Sequence, residues 1–228
     1  MMDDLYLLLI APTLLISLFA QFKLKSTFNK YTKVNASRRI TGKETAELLL
    51  CAGDVRDVRV ISVKGYLTDH YAPSSKHIGL SEAVHNQTSI AAIGVAAHEV
   101  GHAVQYAKSW APIKIRNPLW RISNFGSSLG PVFATLGIIL SFPILIDVGI
   151  LFFSAAVLFS VLTLPVEFNA SRRALALLRE NNILTDAKEI KACKKVLSAA
   201  AFTYVASTLT AIASLLRLVL LSRRHKRR

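Results

Sequence analysis

The chain has 228 residues, of which 52% are hydrophobic and only 18% charged, against about 25% charged in an ordinary soluble domain. Its 28 lysines and arginines against 14 acids leave a formal net charge of +14, and the mean hydropathy is +0.41. Those figures exclude a disordered chain and a soluble enzyme built round a single core. Two isolated cysteines, Cys51 and Cys193, exclude a disulfide scaffold and a cysteine zinc site. A greasy, basic chain fits a lipid bilayer, with its cations beside anionic headgroups. No nucleic-acid partner is expected.

The first segment, 1–22, reads as a transmembrane anchor. Leu5 to Phe22 carries no charge, and roughly 17–25 apolar residues cross a bilayer as a helix. A cleaved signal peptide needs a basic leader and a small-residue cut site. Asp3 and Asp4 stand where the leader would be, and the run ends in Gln-Phe-Lys, so the anchor is read as uncleaved.

Residues 23–126 form the stretch able to make a water-facing segment. Thr41 with Glu44 predicts a capping box opening a helix over 42–52, stopped by Gly53. The runs 58–63, 66–71 and 76–81 are rich in β-branched and aromatic residues and predict a small sheet. The run Tyr66–Tyr71 is expected to be its edge, open to an extended substrate backbone. Ser89 to Ala107 reads as a strongly apolar helix.

The third segment, 127–165, reads as a transmembrane hairpin, because Asp147 is the one charge between Ile122 and Val166. Pro143 and Asp147 are expected at its turn, between helices near 127–142 and 148–165. Segment 166–195 follows as a helix. Segment 196–228 reads as a membrane helix with a basic tail, SRRHKRR. Its hydroxyls, Ser198, Thr203, Ser207, Thr208, Thr210 and Ser214, suggest packing against other helices. The fold class is mainly α, a multi-pass membrane protein with a small β-sheet in its cytoplasmic segment.

Orientation follows from the flanking cations. Lys23, Lys25, Lys30, Lys33, Arg38 and Arg39 follow the first span, and Lys114, Arg116, Arg121, Arg172 and Arg173 flank the hairpin. These place 23–126 in the cytoplasm and the N-terminal end outside. One more full crossing would put the basic tail outside, so either 196–221 does not simply span or the charge rule fails there.

Chemistry enters with His98-Glu99-Val100-Gly101-His102. Histidines at i and i+4 share one helix face and can hold one metal ion. Glu99 sits round the helix, where its carboxylate can reach a metal-bound water and act as the base. Gly101 keeps the helix slim where a strand or a substrate approaches. Two imidazoles and an acid amid AAIGVAA are costly without a partner. An open tetrahedral zinc site needs a third protein ligand. His70, His77, His85 and His225 are the other histidines, and none lies at the spacing metzincins use. Glu167 is the better candidate, an acid emerging from a membrane helix. Its alternative is a surface ion pair with Arg172 or Arg173. Tyr204, Arg172 and His70 are the candidate donors to a developing oxyanion.

Together HEVGHAVQ (98–105), LTDHY (67–71), LPVEFNASRRA (164–174) and TYVAS (203–207) resemble the YugP-like bacterial membrane zinc metallopeptidases over nearly the whole chain. The chain is similar, more distantly, to the gluzincin membrane proteases of the heat-shock and CAAX-processing type. Those carry a Glu ligand in a Glu-aromatic-x-Ala-Asp motif after a membrane hairpin. Here the match is Glu167-Phe168-Asn169-Ala170, with Ser171 in place of the acid. Ser171, at i+4 from Glu167, faces the same way and can hydrogen-bond a ligating histidine, orienting it less strongly than a carboxylate would.

The resemblance implies a multi-pass cell-membrane zinc peptidase with one Zn2+ per chain and a protein or peptide substrate. With the flanking cations, the reading is an endopeptidase acting on membrane or membrane-adjacent proteins at the cytoplasmic face. It is compatible with an oligomer or a regulatory membrane partner, which no residue specifies. A rival reading is an inactive scaffold with structural zinc that binds partner proteins; such zinc needs four protein ligands, and three are found. A metal-free adaptor on the membrane surface would leave His98 and His102 unexplained.

Overall fold

The computed structural model describes residues 4–226, with side chains to Arg223. Asp3 and the last residues of the basic tail lie outside the described residues. A π-helical turn, Tyr6–Ile10, runs into α1 (Ala11–Tyr31). Then come α2 (Gly42–Ala52), β1 (Arg59–Val63), β2 (His70–Ala72), β3 (His77–Ser81), α3 (Glu82–His85) and α4 (Ile90–Ala107). Three long helices finish the chain: α5 (Ala111–Ile139), α6 (Pro143–Glu180) and α7 (Ala187–Lys226). Helices spanning Tyr6–Tyr31, Ala111–Ile139, Pro143–Glu180 and Ala187–Arg223 are long and apolar enough to cross a membrane. The protein is therefore mostly helical with a small sheet, as the sequence predicts.

The chain divides into two compact units. One comprises the chain to Gln21, Lys114–Pro165 and the chain from Phe202. Within it, small residues let helix backbones meet. A Cβ at Gly126 would stand 2.2 Å from the Phe152 carbonyl oxygen, and one at Gly149 would stand 2.3 Å from the Ala134 nitrogen. Such spacing on facing helices gives close van der Waals packing where lipid supplies no hydrophobic drive. Two of the α7 hydroxyls bind other helices, while Ser207 donates to the Tyr204 carbonyl of its own. Thr210 Oγ1 lies 3.1 Å from Ser17 Oγ and donates to the Thr13 carbonyl, and Thr208 donates to the Ser160 carbonyl.

The hairpin turn differs from expectation. Ser141 adopts a φ of +52°, and the Phe142 N–H returns to the Gly137 carbonyl. Pro143 then opens α6, and Asp147 lies inside that helix. Proline has no N–H to leave unsatisfied in a first helical turn, and its fixed φ is already helical. The helices also run further than 127–142 and 148–165: α5 begins at Ala111, and α6 continues through Pro165 to Glu180.

The second unit comprises Phe22–Ile113 and Val166–Ala201. The capping box forms as predicted, with Thr41 accepting from Glu44 N–H and the Glu44 carboxylate accepting from Thr41 N–H. The sheet order is β1-β3-β2, with β1 parallel and β2 antiparallel to β3. The edge strand β2 is shorter and later than the run 66–71. Asp69 accepts from Ser81 N–H at 2.7 Å and from its hydroxyl at 3.1 Å, so pairing starts only at His70. The core joins both kinds of element: Phe28, Leu49, Ile78, Leu80, Ile93, Val100, Leu178 and Val196 are all buried in one cluster. Burying α4 in that cluster fixes where His98 and His102 point.

Candidate metal centre

Within this second unit, α4 carries His98 and His102 one turn apart, with ring centroids 4.7 Å from each other. Glu167, on the stretch of α6 that belongs to the same unit, meets them. Its Oε2 lies 3.3 Å from His98 Nε2 and 3.5 Å from His102 Nε2. Among the described residues these three side chains form the cluster able to hold a metal ion, with all three donor atoms within 4.8 Å of one another. Glu167 is only 5% exposed, which rules out the surface ion pair. Arg173 instead donates from Nε to Asn169 Oδ1 at 2.8 Å, and Arg172 faces outward.

The close approach depends on Gly101. A Cβ there would stand 2.6 Å from the Ala170 carbonyl oxygen, closer than real Cβ contacts come. The neighbour that needs the slim helix is therefore α6, where a strand or a substrate was expected.

The outer nitrogens of the two rings are engaged. His98 Nδ1 lies 3.2 Å from Ser171 Oγ. His102 Nδ1 lies 3.1 Å from Gln105 Oε1. Gln105 is fully buried, and its Nε2 donates to the Val166 carbonyl and to Asn169 Oδ1, both at 2.9 Å. A backbone carbonyl can only accept, so the amide orientation is fixed. Gln105 Oε1 therefore accepts, and His102 Nδ1 is the donor. In the neutral ring the lone pair is then on Nε2, aimed at the Glu167 carboxylate.

Two lone-pair-bearing atoms facing each other in a buried site need a proton or a metal ion between them. Glu167 Oε2 has no hydrogen-bond partner, and 3.3–3.5 Å is long for a charge-assisted hydrogen bond of about 2.7–2.9 Å. A tetrahedral zinc with ligands at about 2.0–2.1 Å spaces them about 3.3–3.5 Å apart. The residues present fit zinc.

Glu99 lies beside this trio and is buried, 7% exposed. Burial pushes its carboxyl up from the ordinary range, the two histidines pull it partly back, and the charges of Glu167 and Asp69 add to the rise. His70 is exposed, with Nδ1 2.8 Å from the Thr68 carbonyl and its ring edge-on to His77. Neither His70 nor Arg172 hydrogen-bonds the trio, and Tyr204 belongs to the first unit. The sequence reading gave Gln105, Asn169 and Arg173 no role in the site. The signal for Gln105 was available: an uncharged polar side chain three residues past His102 on an apolar helix.

Two imidazoles one turn apart and a carboxylate from a second helix make a nitrogen–oxygen donor set of the zinc class. Known proteins place the chain independently. It belongs to the family described as "Putative neutral zinc metallopeptidase", which matches residues 6–223. It is also 45% identical over 217 residues to the "Putative membrane protease YugP" of Bacillus subtilis (strain 168), covering 95% of this chain and 96% of that protein. No solved structure matches it.

Proposed function

We propose that the chain is a membrane-embedded zinc endopeptidase of gluzincin type that cleaves membrane or membrane-adjacent proteins from the cytoplasmic side. The observation that carries this reading is the buried Glu167 oxygen, without a hydrogen-bond partner and facing the Nε2 atoms of His98 and His102. Zinc held by His98, His102 and Glu167 supplies a Lewis acid for polarising a water and the scissile carbonyl. Glu99 is the general base: its carboxylate takes the proton of the attacking water and hands it to the departing amine. Gln105 and Ser171 hold the two rings in register. Of the candidate donors to the developing oxyanion, His70 and Arg172 belong to the same unit as the trio. Three protein ligands leave a position open, as a catalytic site requires and a structural site does not. The cations after Phe22 and around the hairpin support a cytoplasmic centre.

The test compares wild type, Glu99→Gln and Glu167→Ala in detergent for bound zinc and for cleavage of an unfolded protein. Glu99→Gln is expected to keep its zinc and lose activity by at least a hundredfold, since it removes the base and no ligand. Glu167→Ala is expected to lose most of both. Undiminished cleavage by Glu99→Gln would overturn the mechanism, and full zinc retention by Glu167→Ala would remove the third ligand. Zinc without any cleavage in wild type would favour the scaffold reading.

A further inference from the structure

The second unit contains a cleft of about 600 Å³ lined by Lys23, Ser26, Thr27, Lys30 and Tyr31 from α1 and by Lys191, Lys194, Lys195, Ser198 and Ala199 from α7. On each helix the lining residues fall at i, i+3, i+4, i+7 and i+8, so each contributes one continuous stripe. That stripe is where two packed helices ordinarily carry apolar side chains. Here it carries five lysines and four hydroxyls, that of Tyr31 included, and no acid. Glu189, the acid nearest on α7, is buried and accepts from Ser37 N–H at 2.7 Å and from its hydroxyl at 2.8 Å. Lys30, Lys191, Lys194 and Lys195 face this one cleft, and four cations so placed repel one another until an anion lies between them.

Position in the sequence narrows the anion. Lys23 immediately follows the uncharged run Leu5–Phe22, and Lys195 immediately precedes the uncharged run Val196–Leu216. The α7 stripe therefore crosses the level at which its helix passes between polar and apolar sequence, and the α1 stripe starts at that level and runs into the polar side. For a helix in a bilayer, that level is the headgroup layer.

We propose that this cleft is a binding site for the phosphate of an anionic phospholipid of the cytoplasmic leaflet. Lysines supply the counter-charge, and Ser26, Thr27 and Ser198 supply hydrogen-bond donors. The site needs the bilayer placement and orientation given above and does not depend on the peptidase chemistry, so failure of one leaves the other standing.

The full-length protein is released from mixed micelles holding equal phosphatidylglycerol and phosphatidylcholine, and the retained phospholipid is counted by native mass spectrometry. Wild type is expected to retain one phosphatidylglycerol in preference to phosphatidylcholine. Lys191→Gln/Lys194→Gln/Lys195→Gln should weaken retention roughly a hundredfold, at about fivefold per lysine. Lys191→Arg/Lys194→Arg/Lys195→Arg should keep it, which separates lost charge from lost folding. Lys33→Gln/Lys64→Gln/Lys108→Gln removes as much charge elsewhere and should leave retention unchanged. Equal loss in that control, or no preference in wild type, overturns the site. Complete displacement by millimolar inorganic phosphate or by a soluble acidic peptide overturns the lipid as its occupant.

Discussion

Gln105 donates to the Val166 carbonyl at 2.9 Å, and through that bond a residue outside the HExxH pattern selects which nitrogen of His102 faces Glu167. The amide cannot turn over without setting its NH2 against a ring N–H and its oxygen against a carbonyl. The tautomer is thus written by a contact that reaches from α4 to α6.

Replacing Gln105 by Leu keeps the volume and removes this control. Zinc affinity is expected to fall by about 10- to 100-fold, the range typical for lost support of a ligating histidine. Competition with a fluorescent zinc chelator reads this without any substrate. An unchanged affinity would show that His102 is oriented by its surroundings alone.

Gly101→Ala sets a Cβ against the Ala170 carbonyl oxygen. Alanine favours a helix over glycine by about 0.5–1 kcal/mol, but overpacking against backbone costs about 1–3 kcal/mol. A lower midpoint in thermal unfolding in detergent is expected, together with weaker zinc binding as α4 and α6 are forced apart. A stabilised variant would mean that the helices separate freely.

Zinc should also bind to the folded chain far better than to the unfolded one, because His98, His102 and Glu167 converge only through folding. At a free concentration about a thousand times Kd, the linkage is worth about 4 kcal/mol. A chelator should lower the melting temperature of wild type and leave that of Glu167→Ala where it was. Equal melting of wild type with and without chelator would exclude a tightly held ion.

Local signals carried most of the architecture. The Thr41–Glu44 cap is a four-residue pattern, and the structure starts and ends α2 at the predicted residues. His98 and His102 needed only helical periodicity. Other features depended on partners remote in the chain. Gln105 meets Val166 and Asn169 more than sixty positions away, and no sequence period reveals that. The start of β2 is set by Asp69 clamping Ser81, an acid that reads equally well as a turn residue. Pro143 and Pro165 are ambiguous symbols: the first opens α6 and the second lies within it. Proline breaks an isolated helix, but inside a packed one neighbouring groups compensate the lost hydrogen bond.

The supports of the two imidazoles are an amide and a hydroxyl, Gln105 and Ser171, where many metal sites use carboxylates. Neither can ionise. Glu99 and Glu167 are buried beside the histidines, and the charge of Asp69 also reaches Glu99. A further carboxylate in place of Ser171 would leave a surplus negative charge with little water to stabilise it. The serine supports its histidine without adding to the negative charge already gathered there.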